Sequence, residues 1–493
     1  MDAFIIHGGK RLRGNLRIHG SKNASLPLMA AALLTDEPVV LRDVPDLSDI
    51  QNMCRLLQSI GCTANWRMAS AAKNAKPKVI TVASPASLTA GGSDNGGVAT
   101  AVSRKVGAIP RSGSASPIDY GGATADEINE LTLHVTDPTS SECDYDIVRT
   151  MRASICTLGP MLAKRGYARV SMPGGCNIGP RPVDLHIRGL KALGARISLD
   201  EGYIVAEAKR LRGTRVFLGG PFGSTVLGTA NVMSAAVLAE GTTIIESAAC
   251  EPEIEDLARM LNAMGARITG HGSPRIVIEG VDELHGVDHT VMPDRIEAGT
   301  YIMAAAVTNG DVVLDNCPVD ALTAAIDRLK EVGVEIELPK DDCTQVDRLR
   351  ETVRVASARR LDPVEVTTQP HPGFPTDLQA QIMALLCLAD GNSIITEKIF
   401  PDRFMHTAEL LRMGANIIRN GPTALVTGVR RLVGAPVMAS DLRASAGLII
   451  AGLAARGTTT VHRVYHLDRG YERMETCLQQ LGADIERVDR DAS

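Results

Sequence analysis

LKALGARI, residues 190–197, and LNAMGARI, residues 261–268, are one phrase written twice, with their glycines 71 positions apart. Each reads as an amphipathic helix closing on glycine and leading into a strand. Four further copies stand at 57–64 (LQSIGCTA), 329–336 (LKEVGVEI), 410–417 (LLRMGANI) and 478–485 (LQQLGADI). From Gly61 through Gly194, Gly265, Gly333 and Gly414 to Gly482 the numbering steps by 133, 71, 68, 81 and 68. A spacing that returns close to the same value marks a repeated supersecondary unit. The first interval carries roughly 60 extra residues. They map to about 84–125, a Gly/Ser/Ala/Pro-rich stretch that reads as an inserted flexible loop.

Upstream of each phrase lies a second recurring element. KNASLPLMAAALL (from 22), RASICTLGPML (152), STVLGTANVMSAAVL (224), DRIEAGTYIMAAAV (294), TDLQAQIMALLCLA (376) and DLRASAGLIIAGLAA (441) each pass from a polar start into a small-residue apolar helix. Helices apolar nearly all round belong in a core, whereas amphipathic ones such as DLARMLNAMGARI (256–268) belong at the surface. Three units per domain give two similar α/β domains, with buried helices surrounded by sheets and outer helices. If the buried helices converge, their N-termini ring a cleft suited to anions. Capping explains Asp, Ser and Thr at those starts. It does not explain Lys22 or Arg152, because a cation opposes the helix dipole there and needs an anion to offset it.

Composition narrows the function. The chain has 493 residues, 44% hydrophobic and 22% charged, with net charge −5. No basic field advertises nucleic acid or a membrane surface, and 3% aromatics leave little for base stacking. Ten scattered cysteines without a C-x-x-C pair are neither a zinc framework nor a disulfide scaffold, which suits a reducing compartment. The longest apolar runs are ten residues, too short to span a bilayer, and residues 1–20 lack a signal-peptide core. The expectation is a cytoplasmic protein without membrane or nucleic-acid partners. One motif stands apart: MPGGCNIGPRPVDLH, residues 172–186. Gly174 and Gly175 permit backbone freedom before Cys176, and Pro180 and Pro182 stiffen the chain around Arg181.

With the sixfold unit, the motifs GSKNA (20–24), MRASI (151–155), GGCNIGPRPVDLH (174–186), PDRIEAGTY (293–301), FPTDLQAQ (374–381), DLRAS (441–445) and DRGYERME (468–475) resemble the enolpyruvyl transferase family, specifically the UDP-N-acetylglucosamine enolpyruvyl transferases. The resemblance spans the chain except the insert. It implies two inside-out α/β barrel-like domains. The N-terminal one is 22–292, with a catalytic loop at about 172–182, and the other joins 1–21 to 293–493. It implies addition of the 3′-hydroxyl of UDP-N-acetylglucosamine to C2 of phosphoenolpyruvate, followed by loss of phosphate, in the first committed step of peptidoglycan synthesis. These two small molecules are the implied partners. No metal or organic cofactor is implied, and a monomer is expected.

The resemblance also assigns roles. Lys22, Arg152, Arg181 and Arg469 resemble the cations around phosphoenolpyruvate, and Arg443 a further anion contact. Arginine forks and lysine suit carboxylate and phosphate without a metal. Asn23 resembles a ligand-orienting amide. Asp377 resembles the carboxylate facing the sugar hydroxyl, a general base whose pKa burial should raise, a reading weighed above the helix cap that PTDLQAQ also offers. Pro182, Val183, Asp184 and Leu185 resemble a uridine-holding strip, Thr225 and Val226 a diphosphate contact, and Ile399 a substrate contact of the second domain. Cys176 resembles the proton donor to C3 of phosphoenolpyruvate, which a thiol with an ordinary pKa near 8.5 can perform. Two departures from the family pattern are the insert and STVLGTAN (224–231), where Leu227 stands near a usual glycine. Rival readings are the shikimate-pathway enolpyruvyl transferase, a paralogue with another acceptor, and a non-catalytic binding homologue. A metal hydrolase has no support, since His371, His406 and His466 lack ligand spacing.

Overall fold

All six closing glycines take the left-handed backbone, with φ of +86° at Gly61, +94° at Gly194, +108° at Gly265, +94° at Gly333, +87° at Gly414 and +88° at Gly482. At four of them the following alanine N–H reaches back to a leucine carbonyl at 2.9–3.1 Å (Ala195 to Leu190, Ala266 to Leu261, Ala415 to Leu410, Ala483 to Leu478). This is the helix-ending bond pattern that wants glycine, and it aims the chain into an outer strand. The computed structural model describes residues 2–68, 78–81, 128–173, 183–338, 348–357 and 360–489. The expected insert at about 84–125 and residues Cys176, Arg181 and Pro182 lie outside the described residues.

The described strands form six sheets with one pairing rule. An edge strand lies parallel to the strand after a buried helix, and the remaining neighbours are antiparallel. Arg215–Phe217, Thr242–Glu246, Arg275–Glu279 and Arg267–Thr269 show it in order. Two sheets exchange their edge strands. Arg13–Arg17 pairs parallel with Asp311–Cys317, although the Lys22–Ala31 helix follows it in the chain. Val287–Thr290 pairs parallel with Val39–Arg42, although the Arg295–Val307 helix follows it. The opening strand Asp2–His7 lies between Thr458–His462 and Asp484–Asp489, so the chain's start completes the sheet of its last unit.

Two apolar cores result. One gathers residues from Ala24 to Met292 with Ala321; the other joins Phe4–Ile18 to Ile296–Ile485. The small-residue helices occupy the middle of each, and all 13 residues of Arg295–Val307 are buried. Two of the six starts differ from the expected helices. Arg152–Thr157 and Thr376–Leu378 are 3₁₀ turns, and the α-helices begin at Leu158 and Gln379. In the first, Pro160 falls in the opening α-turn, where its missing N–H has no intrahelical partner to lose. The closing helix Pro252–Ala263 is also more buried than expected, exposing only the stripe Glu255, Arg259, Asn262 and Ala263.

Candidate active site

The exchanged strands make the chain pass twice between the lobes, and the two crossings touch. Gly20 bridges Pro293, Ser21 N–H donates to Met292 O at 2.7 Å, and Asp294 N–H to His19 O at 2.8 Å. A Cβ on Gly20 would lie 1.7 Å from Asp43 O, so only glycine fits this crossing. The pairing sets two buried-helix N-termini side by side. Asp294 serves both: Oδ1 accepts from Ile296 and Glu297 N–H, and Oδ2 from Lys22 N–H at 3.2 Å. Burial raises its pKa, against the pull of Arg443.

Lys22, in the first turn after the Ser21 cap, does have an anion to offset the dipole, and it is Asp49. Lys22 Nζ lies 2.6 Å from Asp49 Oδ2, and Arg469 Nε, from the other lobe, lies 2.9 Å from Oδ1. Burial pushes the Asp49 carboxyl up, but Lys22 and then Arg469 outweigh it and hold it below its usual value. Asn23 follows, partly exposed. The clasp continues outward: Glu472 accepts from Asp46 N–H at 2.8 Å, and Arg17 forks onto Asp43 at 2.7 and 3.1 Å. His19 meets Glu297 at 2.9 Å. Burial opposes its charge, yet Glu297, with Glu472 and Asp43, raises its pKa to about 10.

Across the cleft Asp377 lies between two arginines, Arg403 Nη1 at 2.8 Å and Arg443 Nη2 at 3.0 Å. The sequence expected either a cap or a carboxyl raised by burial. Asp377 is not a cap, since neither Thr376–Leu378 nor Gln379–Leu386 has a side-chain cap. It is not fully buried either, since the side chain turns to the guanidinium groups and stays partly exposed. Arg443 is itself buried in the first turn of Leu442–Ala454, where Asp441 takes the cap, accepting from Arg443 and Ala444 N–H. Ile399 lies partly buried on the loop before Arg403.

The remaining expected residues line the first lobe. Arg152 opens its 3₁₀ turn close enough to His186 to lower that ring's pKa, after burial, to about 4. His186 Nδ1 lies 3.0 Å from Asn231 Nδ2, which also donates to Ile155 O. Val183 is buried, Leu185 half-buried and Asp184 exposed at the start of Asp184–Ala192. Thr225 caps Val226–Ala236 by accepting from Gly228 N–H at 3.2 Å, and Leu227 beside Val226 packs on the core. Sequence reasoning missed Asp49, Arg403 and His186 as site groups, and with them Glu253, which takes both arms of Arg295 beside Asp294. Arg403 had a signal, an arginine within FPDRF four residues after Ile399. Glu253 had none, because its partner Arg295, at 2.9 Å, is 42 residues away. Among the described residues no group of three or more His, Cys, Asp or Glu side chains could hold a metal ion, and no helix could cross a membrane.

Similarity to other proteins follows the same lines. The family model for EPSP synthase (3-phosphoshikimate 1-carboxyvinyltransferase) matches residues 6–95 and 121–490. Proteins named UDP-N-acetylglucosamine 1-carboxyvinyltransferase are 46% identical over 488 residues in Methylacidiphilum infernorum, 45% over 490 in Nitratidesulfovibrio vulgaris and 46% over 487 in Myxococcus xanthus. Each alignment covers 99% of this chain and 99% of the relative, and the family model's match is interrupted over 96–120, within the expected insert. The enolpyruvyl transferase NikO from Streptomyces tendae shares the fold with a TM-score of 0.77 at 23% identity, covering 99% of both chains. An EPSP synthase from Acinetobacter baumannii follows with a TM-score of 0.69 at 16% identity, over 99% of this chain and 100% of its own.

Proposed function

Since the chain belongs to the enolpyruvyl transferase family described by EPSP synthase, we propose that it transfers the enolpyruvyl group of phosphoenolpyruvate to the 3′-hydroxyl of UDP-N-acetylglucosamine. Relatives bearing that activity in their name match it end to end at 45–46% identity. The geometric observation that carries the reading is the meeting of Lys22 and Arg469, from the two lobes, on one carboxylate in the cleft. The product commits the sugar nucleotide to peptidoglycan synthesis.

The 3′-oxygen bonds to C2 of phosphoenolpyruvate as its proton passes to Asp377, and a proton from Cys176 reaches C3, turning methylene into methyl. The tetrahedral intermediate then loses phosphate, which takes up the proton held by Asp377, while one methyl proton returns to the Cys176 thiolate to give the enolpyruvyl ether. Lys22, Arg152, Arg181 and Arg469 hold the carboxylate and phosphate, and Arg443 adds a further cation. Asn23 orients the reacting centre. Pro182, Val183, Asp184 and Leu185 hold the uridine, with Thr225 and Val226 at the diphosphate and Ile399 at the sugar. Asp49 then keeps Lys22 and Arg469 in place between turnovers.

Residues 22–292 and 1–21 plus 293–493 act as the two domains, in line with the two cores. One chain supplies both sides of the cleft, so a monomer suffices. The eight described cysteines, none in a disulfide, suit a cytoplasmic enzyme.

Phosphate release measured with each acceptor tests the reaction: turnover with UDP-N-acetylglucosamine and none with shikimate 3-phosphate is expected, and the reverse would overturn it. Cys176→Asp should keep appreciable turnover with an acid-shifted pH profile, while Cys176→Ser, far less acidic, should be badly impaired. A serine variant as active as wild type would remove the proton-donor role.

A further inference from the structure

ITEKIFPDRF, residues 395–404, sets an acidic residue between a core strand and the loop bearing Ile399 and Arg403. Glu397 is fully buried. Its Oε1 accepts from Thr368 Oγ1 at 2.8 Å, Ile399 N–H at 2.8 Å and Phe400 N–H at 2.9 Å, and its Oε2 from Thr376 Oγ1 at 2.9 Å. These partners are two hydroxyls and two backbone N–H groups. A buried carboxylate held by neutral donors is costly compared with an ion pair or an amide, so a turn needing only closure would not require it. One oxygen fixes the Ile399–Phe400 backbone and the other fixes Thr376. The Thr376 hydroxyl in turn accepts from Arg403 Nη1 at 3.1 Å, the same nitrogen that meets Asp377 Oδ1 at 2.8 Å.

We propose that Glu397 is a positioning residue that sets Asp377 against Ile399. Through Thr376 and Arg403 it orients the carboxylate facing the sugar hydroxyl, and through two N–H groups it holds the loop that contacts the sugar. The inference rests on the proposed roles of Asp377 and Ile399 toward the acceptor.

The two oxygens can be tested separately. In Glu397→Gln the amide oxygen can still accept the three bonds of Oε1. The NH₂ group now faces Thr376 as a donor, reverses that hydroxyl and crowds Arg403. Turnover should fall on the order of 10-fold to 100-fold, the scale of a slight misplacement of a reacting group. KM for both substrates should stay near wild type. Glu397→Ala loses both sets of bonds and should also raise KM for UDP-N-acetylglucosamine while sparing phosphoenolpyruvate. In an Asp377→Asn background, Glu397→Gln should add little further loss of turnover, because it acts through that carboxylate. Wild-type turnover in the glutamine variant, a parallel rise in both KM values, or full additivity with Asp377→Asn would each overturn the proposal. If wild type releases no phosphate with UDP-N-acetylglucosamine, the functional reading falls instead. A crystal structure of Glu397→Gln then decides, and an unmoved Asp377–Arg403 pair overturns the positioning role.

Discussion

Asp49 and Asp377 each lie between two cations, and there the likeness ends. Asp49 is 3% exposed, and its partners come from different lobes. Asp377 is 26% exposed, and both partners belong to its own lobe. The first carboxylate is a clasp, whose hydrogen bonds are at the same time a contact between lobes. The second is oriented by its own lobe and open to the cleft, where the proposed reaction needs a base. The same chemical pairing thus does two jobs, and exposure together with the origin of the partners separates them.

The comparison breaks most visibly at Asp377. Asp377→Asn keeps shape and one acceptor for the arginines but removes basicity, so turnover should drop on the order of 10²–10⁴-fold with folding nearly unchanged. Near-normal turnover would leave Asp377 as a brace for Arg403 and Arg443. Asp49→Asn should do the converse. It leaves Lys22 and Arg469 without their anion, and stability should fall by about 3 kcal/mol, the low end for breaking a buried pair. Phosphoenolpyruvate should recover much of the loss, by supplying the missing charge, and denaturant unfolding with and without it would measure this. The Asp49 carboxyl is held low in the fold. Its contribution is therefore present above the unfolded carboxyl pKa and disappears as pH falls through the folded one. A variant as stable as wild type would show that the clasp is not a clasp.

His19 sharpens the same contrast from the alkaline side. Its pKa is raised to about 10, so its pairing with Glu297 stabilises fully below the unfolded value near 6.5 and is lost as pH rises through about 10. The ring is 29% exposed. Solvent therefore screens the pair, and a fall of about 1 kcal/mol across that window is expected. Unfolding free energies of His19→Gln should lack this slope. The neutral rings of His186 and His406, buried, and of His371, partly buried, held near pKa 4 chiefly by desolvation, give the opposite slope below pH 6.5 in both proteins.

What could be read from the sequence follows from the range of each interaction. The helix endings were legible because a left-handed residue flanked by a helix and a strand has one cheap solution, glycine, six times over. The exchange of edge strands was not, since Arg13–Arg17 pairs with residues about 300 positions away and no local pattern records the partner. Asp49 was hidden for the same reason: its meaning comes from Arg469, 420 residues on. Asp377 stood out through its motif, yet its two arginines did not, because Arg403 lies 26 residues on in the same unit and Arg443 66 residues on in the next. Local conformation was legible, whereas electrostatic surroundings, assembled from distant units, were not.

The smallest effect tests the repeat itself. Gly194 and Gly482 close equivalent units in different lobes, at +94° and +88°, and a Cβ at either would meet nothing within 4 Å. Alanine there adds only the left-handed backbone penalty, so Gly194→Ala and Gly482→Ala should each cost about 1 kcal/mol, equally, with turnover unchanged. Gly61 closes the same turn at +86°, but a Cβ would lie 1.7 Å from Asp137 O, just past the strand Glu130–Val135 within the long first interval. Gly61→Ala must therefore displace backbone and should cost clearly more than its two counterparts. Equal losses at all three sites in denaturant titrations would show that the Gly61 turn yields as easily as the others, and that the packing around Asp137 adds nothing to the unit.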